Sequence, residues 1–263
     1  TYIAETTTGG FYPAMYYNHN LDFLASAAMM TGQFTEALEA SRELVTNVGI
    51  MIADMPMIEP FGTKTMQVLL RFGKWNEVLA LPAPDPAMHI MTAFHHFGRG
   101  VAQAALGATA EAERELAAYT AARKAIPAGA PFNLNTAEQI FTIADHVLAA
   151  RLAAARGASD AAIQEWRKAV EAEDTLAYNE PPDWFYPTRE SLGAALLRLK
   201  RYEDADLVFR QDLEKNPDNG RSLFGRWQGM RATDGDIPAT LVLRRRFSQA
   251  WGQADAPLRL EDF

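Results

Sequence analysis

The side chains in this chain that could do chemistry gather in four places. The first is His19-Asn20 with Asp22. His19 and Asp22 are three residues apart and share one face if the segment is helical. They read either as a capped, polar helix start or as a functional pair on one helical face. The second is His95-His96, with His89 before and Arg99 after. Neighbouring positions on a helix point about 100° apart, so the two imidazoles cannot serve one site. One is then packed or at the surface. Either His95 or His96 can share a face with Arg99; His96 is the stronger candidate, because it lies one turn before the small Gly100. The third is the run Glu180-Pro181-Pro182-Asp183-Trp184-Phe185-Tyr186-Pro187, followed by Arg189. Its prolines stiffen the backbone, so little entropy is lost on binding. Its Trp and Tyr offer flat amphipathic surfaces, and Arg189 can grip a carboxylate or phosphate with two bonds. The competing account is a hydrophobic plug that holds an insertion in place, with Arg189 tied to a nearby Asp or Glu. The fourth is Asp145-His146, where a satisfied surface or core histidine is the simpler account.

These residues bound the chemistry. The chain has no cysteine, which excludes disulfides and thiolate metal sites and fits the cytoplasm and the periplasm alike. A metal site would therefore need imidazole and carboxylate. His19, His96 and Glu180 would supply two imidazoles and one carboxylate, a set that suits a divalent zinc or iron ion. Asp183 and Tyr186 would support the same site in acid–base work. The sequence carries this inventory without showing convergence. It has no HExxH, P-loop, GxSxG or glycine-rich dinucleotide turn. A binding or scaffold role with no cofactor therefore ranks ahead of an enzyme built on those residues, which stays as the alternative, beside a purely structural assembly subunit. Arg99, Arg151, Arg189 and Arg221 would favour an acidic group or a C-terminal carboxylate as the thing bound.

The elements that must position these groups are helices. Alanine is heavily used, strand-like alternation is scarce, and apolar residues recur at helical spacing. The clearest stretch is 184–220. Leu192, Gly193, Ala195, Leu196 and Leu199 mark one helix, Lys200-Arg201 a corner, and Tyr202, Ala205, Val208, Phe209 and Leu213 a second helix that Asn216-Pro217 stops. Corners of the same kind fall at 32, 73, 107, 157, 200 and 234, with gaps of 41, 34, 50, 43 and 34 residues. Gly98 and Gly100 inside one predicted helix imply close packing or a close bound group. Residues 1–13 read as irregular, 127–131 as a linker, 174–187 as an insertion loop, and 238–263 as a final helix and a tail that is ordered only if Leu258, Leu260 and Phe263 dock.

Gly193, Leu196, Tyr202, Ala205, Phe209 and Pro217 sit at the spacing of a tetratricopeptide repeat, a helix–turn–helix unit of about 34 residues. The chain resembles that family over nearly its whole length. The stretches YYNHNLDFLASAAMMTG, FHHFGRG, EPPDWFYPTRESLGA, NPDNGRSLFG and AWGQADAPLRLEDF resemble a group of bacterial tetratricopeptide-repeat proteins of undefined chemistry. The resemblance implies one all-α domain over 1–263, a superhelical solenoid of five to six hairpins, each touching mainly its neighbours. It would put His19, Asn20 and Asp22 on the concave face. The implied ligand of the groove is a peptide, a protein segment or a small molecule. In that group such hairpins form the C-terminal half of a longer chain, so an upstream half is an implied partner, with a second copy of the chain as another. The start at Thr1 rather than Met fits a processed or trimmed product. Net charge is −8 with scattered Lys and Arg, which argues against nucleic acid. Apolar runs stop well short of the ~18 residues that a membrane span needs.

Overall fold

The computed structural model describes residues 16–235 and 237–263; the segment 1–13, read above as irregular, lies outside them. Left-handed backbone marks where one helix hands over to the next. Gly32, Gly73, Gly107, Gly157, Lys200 and Gly235 have φ values of 80°, 63°, 76°, 74°, 58° and 69°. The first five are the corners read from the sequence, and the sixth is one residue on. They divide the described residues into six hairpins: α1 Tyr17–Thr31 and α2 Phe34–Gly49; α3 Lys64–Arg71 and α4 Trp75–Ala80; α5 His89–Ala105 and α6 Thr109–Ala125; α7 Ala137–Ala155 and α8 Ser159–Glu173; α9 Thr188–Arg198 and α10 Tyr202–Lys215; α11 Gly220–Asp234 and α12 Pro238–Ala250.

Local chemistry sets the remaining boundaries. Pro82, Pro84 and Pro86 follow α4 and keep it short. The stretch before α3 is a 3-10 helix, Pro56–Thr63, with a second proline inside it. Thr136 starts α7 with a capping box: its hydroxyl accepts from the Gln139 backbone N–H while the Gln139 side chain accepts from the Thr136 N–H. Just before it, Pro131–Phe132 and Asn135–Thr136 form a two-stranded antiparallel pair. Asn219 caps α11, and Pro238 takes the first position of α12.

The two helices of each hairpin pack on one another, and α2 packs on α3, α5 on α7, α8 on α9 and α10 on α11. One buried apolar cluster runs from Ala28 to Phe263, with a smaller one between α1, α2 and the 3-10 helix. Glycines set the closest approaches. The fully buried Phe209 ring of α10 lies against Gly193 of α9 and Gly225 of α11, where an added methyl would overlap it. Gly98 and Gly100 owe their size to packing: Met66 covers the first and Leu148 the second.

The expectation that each hairpin touches mainly its neighbours fails at the ends. Trp251, at the end of α12, fits between Gly32 of the first hairpin and Gly220 of α11. Asp255 then caps α2 from across the chain: its carboxylate accepts from the Phe34 and Thr35 N–H groups at 2.6 and 2.9 Å, and its own N–H donates to the Gly32 carbonyl at 3.2 Å. The first N–H groups of a helix have no acceptor within it, and here a distant segment satisfies two of them. Residues 256–263 continue inward: Leu258 and Leu260 pack on the main core and Phe263 is buried. No helix among the described residues is long and apolar enough to cross a membrane.

Candidate functional site: a buried arginine cluster

Arginines that come from separate hairpins meet where residues 262–263 end their inward path. Arg71 ends α3, Arg151 lies late in α7 and Arg221 opens α11. All three line one small cavity of ≈ 30 Å³ together with Tyr186, Glu190 and Phe263, room for about one water molecule. Arg71 and Arg221 are each 3% exposed. Arg71 holds Glu190 with both terminal nitrogens. Asn219 adds a bond from its amide to the same carboxylate at 2.7 Å. Arg221 sits 4.0 Å from Glu190 and donates to the Asp262 carbonyl at 2.8 Å. Arg151 donates to the Phe263 main-chain oxygen at 2.7 Å and lies over the Trp166 ring at 5.3 Å. The Phe263 ring in turn lies under the Arg221 guanidinium at 5.3 Å and stacks on Phe224.

The side chains lining the cavity are mostly cationic: three guanidinium groups share it with the one carboxylate of Glu190, while the Asp262 carboxylate turns to Arg259 at 3.0 Å. Burial, reinforced by the Arg71 charge, pulls the Arg221 guanidinium down to about 9. Burial also lowers Arg151. The Nε atoms of both are sealed from solvent without a hydrogen-bond partner. Buried cations with unused donors are costly, and a fold does not need them for packing. Such a cluster is built to hold negative charge or carbonyl oxygen, and two main-chain oxygens of residues 262–263 fill part of that role.

The acids behind the cluster are shifted the other way. Asp212, fully buried, accepts from Asn216, Asn219 and Ser222. Burial first, and then the Glu190 charge, still push its carboxyl up to about 6. Glu173 accepts from the Thr188 backbone N–H at 2.8 Å and is pushed up to about 7 by burial.

The residues singled out from the sequence are dispersed. His19 and Asn20 are exposed on α1, with the His19 ring edge-on to Phe23. Asp22 is buried in an ion pair with Lys64 at 2.6 Å. His96 bonds Glu115 at 2.7 Å, and Arg99 bonds the same carboxylate at 2.6 Å. His146 likewise bonds Glu165 at 2.8 Å. Glu180 is exposed and receives the Tyr178 hydroxyl. Among the described residues, no three His, Asp or Glu side chains are placed to hold a metal ion, so His19, His96 and Glu180 do not converge.

The aromatic loop is the plug. Asp183, buried, accepts from the side chains of Asn133, Asn135 and Asn179 and from the Asn135 N–H, which ties the loop to the two-stranded pair. Trp184 and Phe185 are buried against Phe97 and Phe94. Arg189 is held by both oxygens of Asp174 at 2.7 and 2.6 Å. Phe185 and Tyr186 line the cavity of the arginine cluster, with the Arg71 guanidinium 5.8 Å from the Tyr186 ring centre.

Of the four arginines expected to favour an acidic group, Arg151 and Arg221 join the cluster, and Arg99 and Arg189 are spent in ion pairs. Arg71 and Glu190 were not anticipated. Their signal was present: each is a charge set among apolar helical positions, in VLLRF and in TRESLGA. Comparison of the chain with known family models, with curated proteins and with solved structures finds no match.

Proposed function

We propose that the chain is a helical-repeat binding protein of the tetratricopeptide kind, which captures an extended protein segment carrying an aromatic side chain next to a carboxylate. The single observation that supports this most is the arginine cluster: Arg71 and Arg221 both face Glu190, Arg151 lines the same cavity, and the Nε–H donors of Arg151 and Arg221 are unused among the described residues. In this account residues 256–263 act as an internal stand-in, with Phe263 in the aromatic position and main-chain oxygens where the ligand's carboxylate would bind. The repeat assignment is supported by the six hairpins with left-handed corners, one of whose gaps equals the ideal period of 34 residues while another exceeds it by one.

A tethered segment competes at an effective concentration in the millimolar range, so an external ligand binds well only when the tether is loosened. Asp255→Ala removes a helix cap worth about 1 kcal/mol. Phe263→Ala removes burial worth about 1.5–3 kcal/mol. A labelled free peptide ADAPLRLEDF should therefore bind the double variant at least about tenfold more tightly than the unsubstituted chain, by fluorescence anisotropy. The peptide with a free terminal carboxylate should bind more tightly than its amide. Equal affinity of both proteins, or of both peptides, refutes the assignment.

A further inference from the structure

A second cavity, of ≈ 180 Å³, lies apart from the arginine cluster. It is bounded by α2, the junction of the 3-10 helix with α3, residues 81–84 and α5. Val45, Met66, Leu81, Met91 and Phe94 make it largely apolar, and no charged side chain lines it. Two of the polar groups that line it make no hydrogen bond among the described residues. His95 is 9% exposed, and among the described residues none forms a hydrogen bond with its ring; its aromatic neighbour, His96, is edge-on at 5.5 Å. Thr65 is 9% exposed and equally without a hydrogen bond among the described residues. Thr63, by contrast, is spent: its hydroxyl donates to the Pro60 carbonyl at 2.7 Å and accepts from Gln67 at 2.8 Å.

Burial, then the nearby His96 and Arg99, lower the His95 imidazole to about 4. It is thus neutral at physiological pH and offers one N–H donor and one nitrogen acceptor. With no hydrogen bond from the described residues, that donor and acceptor are open to a ligand in the cavity. An engineered apolar cavity of about 150 Å³ admits benzene, so the space here suits one six-membered ring with a small substituent.

We infer that this cavity binds a small, uncharged, largely apolar molecule with one hydroxyl group, of the size of phenol, held by a hydrogen bond to the His95 ring. It is independent of the arginine cluster and of what binds there. Charged ligands are disfavoured because the cavity holds no counter-ion and its histidine stays neutral.

The test uses the full chain with ¹³C-methyl methionine and phenol and benzene as probes. Met66 and Met91 line the cavity, whereas Met230 lies on α11 and serves as the reference. Millimolar phenol should shift the Met66 and Met91 methyl signals and leave Met230 in place. His95→Leu keeps the shape and removes the hydrogen bond, so phenol should bind about tenfold more weakly while benzene is little changed. Val45→Phe, at a half-buried position on the rim, fills the space and should abolish both sets of shifts even if His95→Leu folds poorly. Unmoved Met66 and Met91 signals overturn the inference. So does phenol binding that both substitutions leave intact.

Discussion

Arg151→Met separates a binding residue from a structural one. Methionine keeps the length and apolar stem of arginine but removes the charge. Three quantities change. The bond from the guanidinium to the Phe263 oxygen is lost, worth about 1.5–3 kcal/mol for a charged donor. The stacking on Trp166 is lost, worth about 0.5–2 kcal/mol. Against these, the chain no longer buries a cation whose Nε has no partner, a penalty of several kcal/mol. The opposing effects are of similar size, so unfolding in urea should place the variant within about 1 kcal/mol of the unsubstituted chain.

Binding should respond very differently, because a ligand carboxylate interacts with the charge and methionine offers none. In the Asp255→Ala/Phe263→Ala background, where the internal segment no longer competes, Arg151→Met should weaken the free-acid peptide about 10- to 100-fold. It should leave the amidated peptide nearly unchanged. Anisotropy titration of both peptides reads this directly. A stability loss above about 3 kcal/mol with no change in the acid-to-amide preference would mean that Arg151 merely braces residue 263, and the binding assignment would fail.

Three further perturbations probe the framework. Gly225→Ala sets a methyl against the buried Phe209 ring and should destabilise by about 1–3 kcal/mol, read as a lower urea midpoint at unchanged slope. Lys200→Gly relieves a left-handed backbone of φ 58°, which costs roughly 1–2 kcal/mol for a residue with a Cβ, against the larger unfolded-state entropy of glycine, so the thermal midpoint should hold or rise slightly. Asp212 has its folded-state pKa raised to about 6. A raised acid binds its proton more tightly when folded, so stability is greatest below the ordinary carboxylate range and falls as pH rises from about 4 to about 6. Asp212→Asn should flatten that part of the stability-versus-pH curve, and an unchanged curve would contradict the shift.

Helix positions and corners were legible because each rests on local chemistry. Gly32, Gly107 and Gly157 stand where a chain of L-residues needs a left-handed turn, and Pro82 to Pro86 stop a helix wherever they occur. The close packing at Gly98 and Gly100 was legible for the same reason, since only a missing Cβ lets the Met66 and Leu148 side chains in. The site was not. His96, Arg99 and Arg189 have the residue types of a functional site, but each finds an acid 15 to 19 positions away, a partner on the adjoining helix or turn. Such pairs satisfy charge locally and leave nothing for a ligand. Arg71 and Glu190 lie 119 positions apart, and no periodicity within a hairpin reports which charges the fold will bring together.

The same distance explains why the cluster is a better guide to function than the histidines. A charge near the surface can find water or a neighbour at little cost, so its presence says little. Arg71, Arg151 and Arg221 had to be drawn from three hairpins and kept from solvent, with donors left over. Apolar residues of similar volume at those positions would be as stable or more so. An arrangement that costs stability and persists needs something that repays it, and the segment lying across it supplies oxygen atoms to two of the three arginines without supplying a buried carboxylate from its own side chains. Clustered guanidinium groups bind a carboxylate best, with two charge-assisted bonds, which is what a ligand's carboxylate would bring.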